Sequence, residues 1–171
     1  MDYFKAFVRD VPEFPHAGVL FKDITPLLNH AEAFRRAVDA MCEPALALQP
    51  THVLGLESRG FIFGSAMALK LGLAFVPARK PGKLPMPTFA ESYTTEYGVD
   101  SLQVHRDAFR AGDRVLIVDD VLATGGTAAA ARRLIEQTGA HPVALTLFIE
   151  LAFLKGREAL KGLPLFSVLT Y

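Results

Sequence analysis

The chain has 171 residues, 51% of them hydrophobic, and its 18 basic and 18 acidic residues give a formal net charge of zero. This length and apolar content predict one domain, residues 1–171, that buries about 70% of its unfolded surface, and they exclude a disordered protein. The neutral charge predicts no nucleic-acid partner. Because no apolar run approaches the length of a membrane helix, we expect a cytoplasmic protein without a membrane partner.

The first 30 residues or so are expected to form a hood over a ligand site. Residues 2–9 place apolar side chains on one side of a short helix. The segment 14–28 follows, with prolines and a glycine but a regular hydrophobic rhythm. We expect packing, and not hydrogen bonds of its own, to order this segment across the top of a sheet. The alternative is an ordinary N-terminal arm.

The next part of the chain alternates between helical and strand patterns. A helix is expected over residues 30–49, broken or kinked at Pro44, and a second one over 61–70. The single cysteine, Cys42, is interpreted as a core residue of the first helix. Buried strands are expected over 52–56, 73–77, 115–118 and 142–149, with an edge strand over 165–169.

This order of elements predicts an α/β fold with a mainly parallel twisted sheet flanked by helices. Such sheets bind ligands at the carboxyl ends of their strands. The loops 57–60, 78–83 and 119–127 leave those ends and should converge on one crevice. Residues 81–104 are expected to form a mobile loop and hairpin, since long irregular loops in compact domains are usually functional or disordered.

Residues 115–127, VLIVDDVLATGGT, are the most informative run of the sequence. An apolar strand is expected to end at Asp119 and Asp120. A loop of small residues then leads into a helix over 128–138, which Gly139 should terminate. The order is therefore strand, acidic pair, glycine-rich loop and helix N-terminus.

Each part of this run has a chemical reason. Gly125 and Gly126 let backbone amides approach an anion closely, and the helix N-terminus adds the positive end of its dipole. Two aspartates beside a phosphate would be repulsive unless they accept hydrogen bonds from hydroxyls of the same ligand, or approach a metal. A sugar phosphate with a cis-diol meets both demands. The alternative is an ordinary capped turn between strand and helix.

The run resembles the phosphoribosyl-diphosphate (PRPP) signature of the type I phosphoribosyltransferases, and it is neither a Walker A loop nor a dinucleotide-binding turn. Five further segments resemble the adenine phosphoribosyltransferases within that family, in the same order and at about the same spacing. They are residues 14–26, 57–61, 79–85, 92–98 and 154–157. The resemblance implies the type I phosphoribosyltransferase fold, a homodimer, and transfer of the 5-phosphoribosyl group from PRPP to adenine, giving AMP and pyrophosphate.

The resemblance also implies a role for each motif. The ribose 5-phosphate would be bound by Asp119, Asp120, Ala123, Thr124, Gly125, Gly126 and Thr127. The pyrophosphate would meet Ser58, Arg59, Arg79, Lys80 and Lys83. Adenine would be bound by the backbone of Val19 and Lys22, by stacking on Phe21, and by Leu151 on its other face. Mg²⁺ would bind with PRPP, without a direct protein ligand.

The catalytic residues implied by the resemblance are Arg59, Glu96, Asp119 and Asp120. Glu96 would handle the proton of the purine, and Tyr97 would lie beside it on the mobile loop, which closes over the site. For Ser58 the alternative is simple helix capping, for the basic residues a solvated loop, for Glu96 an ordinary surface position, and for Leu151 plain core packing.

Three other functions remain open at this point. The first is a phosphoribosyltransferase for another base, such as xanthine or orotate, although the hood motif and residues 79–85 argue against it. The second is a non-catalytic PRPP-binding regulator, but 171 residues leave no room for a DNA-binding module. The third is a PRPP synthetase, which would need an ATP-binding motif that the sequence lacks.

Overall fold

The structure, a computed structural model, describes residues 2–95 and 98–171. Two short 3₁₀ turns, Ala152–Leu154 and Gly156–Leu160, precede the last strand. The helices and strands in chain order are α1 (Asp2–Lys5), β1 (Arg9–Pro12), β2 (Leu20–Asp23), α2 (Thr25–Leu28), α3 (Ala31–Leu46), β3 (His52–Leu56), α4 (Gly60–Leu71), β4 (Ala74–Ala78), β5 (Thr88–Thr95), β6 (Gly98–His105), β7 (Arg114–Leu122), α5 (Gly126–Gln137), β8 (His141–Glu150) and β9 (Leu165–Thr170).

The central layer is a five-stranded sheet in the spatial order β4-β3-β7-β8-β9, and every neighbouring pair is parallel. Alternate residues of β7 enter the two cores: Leu116 and Val118 pack with α3 and α4, whereas Val115 and Ile117 pack with α5 and the β5–β6 hairpin. The predicted parallel α/β fold is confirmed, as is the edge position of the last strand. Within the described residues no helix is long and apolar enough to cross a membrane.

The prediction of one helix over residues 2–9 is wrong. α1 ends at Lys5, and Arg9 already begins β1, which pairs with β2 as an antiparallel hairpin. The second segment of the hood is therefore ordered by hydrogen bonds as well as by packing, contrary to expectation. The pairing was not visible in the sequence because β1 contains Arg, Asp and Pro, which are poor indicators of a strand.

The expected break at Pro44 is also absent. α3 continues through Pro44 to Leu46, so the proline lies in the last turn and removes only one hydrogen bond near the helix end. Met41 and Ala45 on either side of it are fully buried, and their contacts hold the turn in place. Cys42 is a core residue as predicted, and burial raises the pKa of its thiol to about 11.

Asp119 and Asp120 lie inside β7 and do not end it. The strand runs on to Leu122 because β8 pairs with it as far as Glu150. On its other side, pairing with β3 stops at Val118. The two carboxylates therefore lie where one neighbouring strand has ended and the other continues, which is where a parallel sheet opens a crevice.

The segment 81–104 contains the predicted hairpin, but its return strand begins at Gly98 and is longer than the sequence indicated. Backbone hydrogen bonds of 2.8 and 2.7 Å between Arg79 and Gln103 connect the hairpin to the end of β4. The hairpin thus extends from the site side of the sheet across the N-terminus of α5, where the oxygen of Thr94 lies 2.9 Å from the place a Cβ would take on Gly126.

Candidate active site

Three adjoining pockets open at the carboxyl ends of β3, β4 and β7. We call them the loop pocket (about 170 Å³, around residues 123–127), the hairpin pocket (about 760 Å³, between residues 57–59 and the β5–β6 hairpin) and the hood pocket (about 540 Å³, between residues 18–22 and 151–154). Thr127 lines all three, so they form one continuous crevice. The predicted convergence of three loops is confirmed, since Ser58, Lys80 and Asp119 line the hairpin pocket together.

The loop pocket is shaped by a close approach of two backbone segments. Gly125 has φ +86°, and a Cβ on it would lie 2.4 Å from the carbonyl oxygen of Gly156. A Cβ on Gly156 would in turn lie 2.3 Å from the carbonyl oxygen of Ala123. Only glycine fits either position, and α5 begins directly afterwards with no acidic residue in its first turn. The loop therefore presents helix N-terminal amides to the pocket, an arrangement that is suited to binding an anion.

The acidic pair lies beside this loop. Asp120 is 4% exposed, and its Oδ2 forms an ion pair of 2.6 Å with Arg59. Burial raises the pKa of both carboxyls. The charge of Asp120 adds to the rise at Asp119, whereas Arg59 opposes the rise at Asp120. Burying two adjacent negative charges costs free energy. A ligand that donates hydrogen bonds to the two carboxylates, or that carries positive charge, would offset this cost.

Basic side chains surround Glu57 at the end of β3. Its carboxylate accepts hydrogen bonds from Arg79 Nε (3.0 Å), from the backbone N–H of Lys80 (2.8 Å) and from Lys83 Nζ. Burial favours the neutral carboxyl, but these three donors outweigh it and lower the pKa of Glu57 to about 2. Lys80 Nζ pairs with Asp100 on the hairpin, and this bond lowers the pKa of Asp100.

All four basic residues that the sequence assigned to a diphosphate are thus paired with carboxylates of this chain, counting Arg59 with Asp120. These pairs hold positive charge in place around the hairpin pocket. A diphosphate carries more negative charge than one carboxylate, so it would compete with these partners for the same cations.

The hood pocket is lined by apolar groups and backbone. The Phe21 ring lies beneath the guanidinium of Arg59, 4.7 Å from centroid to Cζ. The ammonium of Lys22 does not face this pocket: it lies 2.6 Å from Asp10 Oδ1 and 3.9 Å from the centre of the Tyr171 ring. Lys22 lines the hood pocket through its other atoms, and a ligand contact by its backbone stays a prediction.

Hydrogen bonds within the hood leave only some of its backbone N–H and C=O groups available to bind a ligand. The N–H of Val19 donates to His16 O at 3.2 Å, and its carbonyl accepts from Phe14 N at 3.3 Å, so Val19 has one lone pair left. Leu20 lies opposite Pro12 in the hairpin register, and proline has no N–H to donate. The Leu20 carbonyl therefore receives no bond from its opposite residue.

The phosphoribosyl transferase domain family matches residues 27–161 of this chain. The adenine phosphoribosyltransferase of Carboxydothermus hydrogenoformans is 52% identical over 167 residues, which cover 98% of each chain. That of Thermobifida fusca is 54% identical over 164 residues, which cover 96% of this chain and 93% of the relative. This chain belongs to the adenine phosphoribosyltransferase family.

Solved structures of adenine phosphoribosyltransferases share the whole fold. The enzyme of Rhodothermus marinus superposes with a TM-score of 0.95 at 50% identity, covering 99% of this chain and 97% of that one. The enzyme of Saccharomyces cerevisiae, complexed with adenine and an imino-altritol bisphosphate, superposes with a TM-score of 0.92 at 41% identity, covering 98% and 97%.

Most of the residues that the resemblance to adenine phosphoribosyltransferases assigned to the site line one of the three pockets. The loop pocket is lined by Asp119, Ala123, Thr124, Gly125, Gly126 and Thr127, the hairpin pocket by Ser58, Arg59, Lys80, Asp119 and Asp120, and the hood pocket by Val19, Phe21, Lys22 and Leu151. Arg79 and Lys83 line none of the three pockets and instead form ion pairs with Glu57. Glu96 and Tyr97 lie outside the described residues.

Several residues at the site were not assigned by sequence reasoning. Tyr93 and Asp100 line the hairpin pocket, and their hydroxyl and carboxylate are 3.3 Å apart. Leu20 and Val121 line the hood pocket. Tyr93 lies within residues 92–98, which the sequence marked as similar to the family, so only its role was missed. Asp100 carried no such signal, because its partner Lys80 is twenty positions away in the sequence.

The side chains around the crevice could hold a hard cation such as Mg²⁺ only if a bound ligand supplied further oxygen atoms. Within residues 2–95 and 98–171 no three His, Cys, Asp or Glu side chains are close enough to hold a metal ion. Oxygen ligands are nevertheless present, because Asp119 and Asp120 line the hairpin pocket. These residues fit Mg²⁺ held mainly by diphosphate oxygens and water, which is the coordination that Mg²⁺ prefers.

Proposed function

We propose that the chain transfers the 5-phosphoribosyl group of PRPP to adenine, giving AMP and pyrophosphate, a reaction of purine salvage. The observation that carries the proposal is the continuous crevice: an anion loop, an acidic pair among cations and an apolar hood pocket meet at Thr127. Among the relatives, the enzyme of Trypanosoma brucei was solved with AMP, pyrophosphate and ribose-5-phosphate. Together those ligands contain an adenine, a ribose 5-phosphate and a diphosphate, the three groups that we assign to the hood, loop and hairpin pockets.

In this proposal residues 123–127 hold the 5-phosphate through amides and hydroxyls. Asp119 and Asp120 accept hydrogen bonds from the ribose 2- and 3-hydroxyls, which offsets their burial. As the bond from C1 to the pyrophosphate oxygen breaks, positive charge grows on the ribose, and the nearby carboxylates stabilise it. The pair therefore binds the sugar and favours the transition state with the same groups.

We expect Ser58, Arg59 and Lys80, which line the hairpin pocket, to receive the departing pyrophosphate, and Arg79 and Lys83 to reach it only by leaving Glu57. In the described residues each of these cations is paired with a carboxylate, so the diphosphate would compete with those carboxylates for positive charge that is already in place. Mg²⁺ bound with PRPP would neutralise part of the diphosphate charge and improve it as a leaving group. A hairpin that closes over the crevice would exclude water from the reactive cation.

Adenine occupies the hood pocket with Phe21 on one face and Leu151 on the other. Its N6 amine donates to a hood carbonyl, of Val19 or of Leu20, and its N1 accepts from the backbone of Lys22. An oxopurine reverses the donor and acceptor at position 6, so it would leave buried groups unpaired. The N9 atom forms the bond to C1 and gives up its proton, for which Glu96 is the proposed acceptor.

A homodimer and a cytoplasmic location belong to the same proposal. α4 is apolar on its outer side as well as its inner side: Ile62 is 37% and Leu69 86% exposed. Exposed large apolar side chains on a helix that also carries Ser65 and Lys70 on that side suit a protein interface, and a second copy of the chain would cover Ile62 and Leu69. Light scattering of the wild type and of Leu69→Asp tests the dimer, which the charge should weaken.

One assay tests the reaction. The protein is incubated with PRPP, Mg²⁺ and, in turn, adenine, hypoxanthine, guanine, xanthine or orotate, and the nucleotide product is identified. We expect AMP from adenine and no product from the oxopurines or orotate. A nucleotide formed from xanthine would point to the other-base alternative, and PRPP binding without turnover of any base to the regulator.

A further inference from the structure

We infer that Tyr171 is a positioning residue for the base, which fixes the two walls of the hood pocket relative to each other. The inference rests on the proposed function, because it concerns how adenine is held. Tyr171 does not line the pocket itself, and the inference uses its contacts with Lys22 and with the turn around Leu151, which do.

The first wall of the pocket is the β1–β2 hairpin, which shares no backbone ladder with the five-stranded sheet. Lys22 at the end of this hairpin has its side chain 8% exposed, and its ammonium is held between Asp10 and the Tyr171 ring. The ring therefore supports Lys22 from the side opposite the pocket. Because Phe21 precedes Lys22, its place depends on this support.

The second wall is the turn that begins at Leu151. Tyr171 holds this turn through its backbone: its N–H donates to Glu150 O, and its carbonyl accepts from Ala152 N, both at 2.9 Å. Leu151 lies between these two bonds, and its own N–H donates to Leu122 O at 2.9 Å. One residue thus holds the turn with its backbone and the hood with its ring.

The two contacts differ in kind, which makes them separable by mutation. Replacing the side chain of Tyr171 leaves both backbone bonds in place and removes only the support of Lys22. The hood would then lose its fixed distance from Leu151, whereas the loop pocket, built on α5 and the Gly125–Gly156 contact, would be unchanged. The expected defect is therefore in adenine binding and not in PRPP binding.

The experiment compares KM for adenine and KM for PRPP in Tyr171→Leu, Tyr171→Phe and the wild type. Tyr171→Leu should raise KM for adenine about three- to tenfold, the size of a lost cation–π contact, with KM for PRPP within about twofold of wild type. Tyr171→Phe keeps the ring face and should restore the wild-type KM. The control is Tyr3→Leu, which removes a similar contact, 5.0 Å from the Arg36 guanidinium, on residues that line none of the three pockets.

Lys22→Met is the second variant, and it tests the same inference if Tyr171→Leu does not fold. It breaks the same contact from the other side and also removes the ion pair with Asp10, so it should give a selective rise in KM for adenine at least as large as that of Tyr171→Leu. The double variant should be no worse than Lys22→Met alone, because the contact that Tyr171→Leu removes is already lost there. An unchanged KM for adenine, parallel rises in both KM values, or additive effects would overturn the inference. Wild-type protein that forms no AMP would instead refute the proposed function.

Discussion

The two halves of the crevice are built in different ways. The half around residues 115–127 belongs to the five-stranded sheet, and its anion loop is made of backbone held against backbone, as at Gly125 and Gly156. The other half consists of two separate two-stranded hairpins, which are attached to the rest of the domain mainly by side-chain ion pairs and ring contacts, with one backbone bridge between Arg79 and Gln103. The first half can hold a ligand rigidly, whereas the second can move without breaking the sheet.

This contrast predicts that the largest effect comes from the backbone contact. Gly125→Ala places a Cβ 2.4 Å from Gly156 O at φ +86°, so the loop must shift, and we expect PRPP affinity to fall by at least about 100-fold. Isothermal titration with PRPP measures it. Gly139→Ala is the matched control, since Gly139 has φ +84° but its nearest neighbour would be 3.7 Å away.

The control should cost about 1–2 kcal/mol of stability, the penalty of a left-handed alanine, and leave PRPP affinity unchanged. If both variants lost affinity equally, backbone strain and not the close contact would be the cause, and the account of a rigid half would be wrong.

The second prediction concerns the acidic pair, where function and stability should oppose each other. The pKa of Asp119 is raised in the folded protein, first by burial and then by Asp120. A raised carboxyl pKa gives stability that is present at low pH and lost as the pH rises through the folded pKa. At pH 7.5 Asp119→Asn should therefore raise Tm, while kcat falls at least about tenfold.

Asp23→Asn is the matched control for stability. The backbone N–H of Thr25 lowers the pKa of Asp23, so its charge stabilises the fold above the unfolded pKa, and the variant should lower Tm. Calorimetry of both variants at pH 7.5 checks the opposite signs. A normal kcat in Asp119→Asn would remove this carboxylate from the mechanism.

The contrast also explains what the sequence could predict. The run 115–127 is local: its apolar strand, small residues and helix pattern are consecutive, so the glycine-rich loop at a helix N-terminus and the parallel sheet could both be predicted. Even there, the strand end was misplaced, because pairing with β8 carries β7 past Asp119 to Leu122. That information lies in residues 141–150 and not in the run itself.

The second half depends on contacts between distant residues, and periodicity carries no signal for them. β1 was missed because its partner β2 begins only after seven further residues, 13–19, which show no strand pattern. The pairing of Glu57 with Arg79 and Lys83 crosses 22 and 26 positions, so the cations were assigned to a ligand without their protein partners. The sequence shows that these residues are positively charged, but only the folded structure shows that they are paired with carboxylates of the same chain.

The third prediction tests how firmly the cation cluster is held. Donors from Lys83, Lys80 and Arg79 lower the pKa of Glu57 to about 2, although burial opposes them. This stability is present above the unfolded pKa and is lost as the pH falls through the folded value. Because Lys83 and Arg79 are partly open to solvent, we expect Glu57→Gln to cost about 1–2 kcal/mol at pH 7, with the difference shrinking below pH 5.

Urea denaturation at pH 7, 5 and 4 measures this cost. Glu136→Gln is the control, since Glu136 forms an exposed helical pair with Arg132 at 2.9 Å, a type of pair that contributes about 0.3–0.5 kcal/mol. A cost for Glu57→Gln that was no larger than the control, or that did not change with pH, would show that the cluster does not depend on the Glu57 charge.

The smallest effect is expected where the β5–β6 hairpin meets α5. Glu91 accepts hydrogen bonds from Arg133 Nε at 2.7 Å and from Gln137, and Arg133 is 45% exposed. Exposed pairs are weak, so Glu91→Gln should cost about 0.5 kcal/mol or less, and 1 M salt should remove the difference. If the hairpin is the movable half, its backbone amides should nevertheless exchange with solvent about twofold faster, while those of β7 stay unchanged.

Hydrogen exchange followed by mass spectrometry resolves the two strands, and Glu32→Gln, which breaks an exposed pair with Arg35 on α3, is the control. Faster exchange confined to β5 and β6 would mean that even a weak side-chain pair controls hairpin opening, because no backbone ladder joins the hairpin to α5. Equal protection in wild type and variant would mean that the Glu91 pair does not control hairpin opening, and that the Arg79–Gln103 backbone bonds and the Lys80–Asp100 pair hold the hairpin without it. The description of the hairpin as a movable element would then fail, and the contrast between the two halves would survive only for the hood.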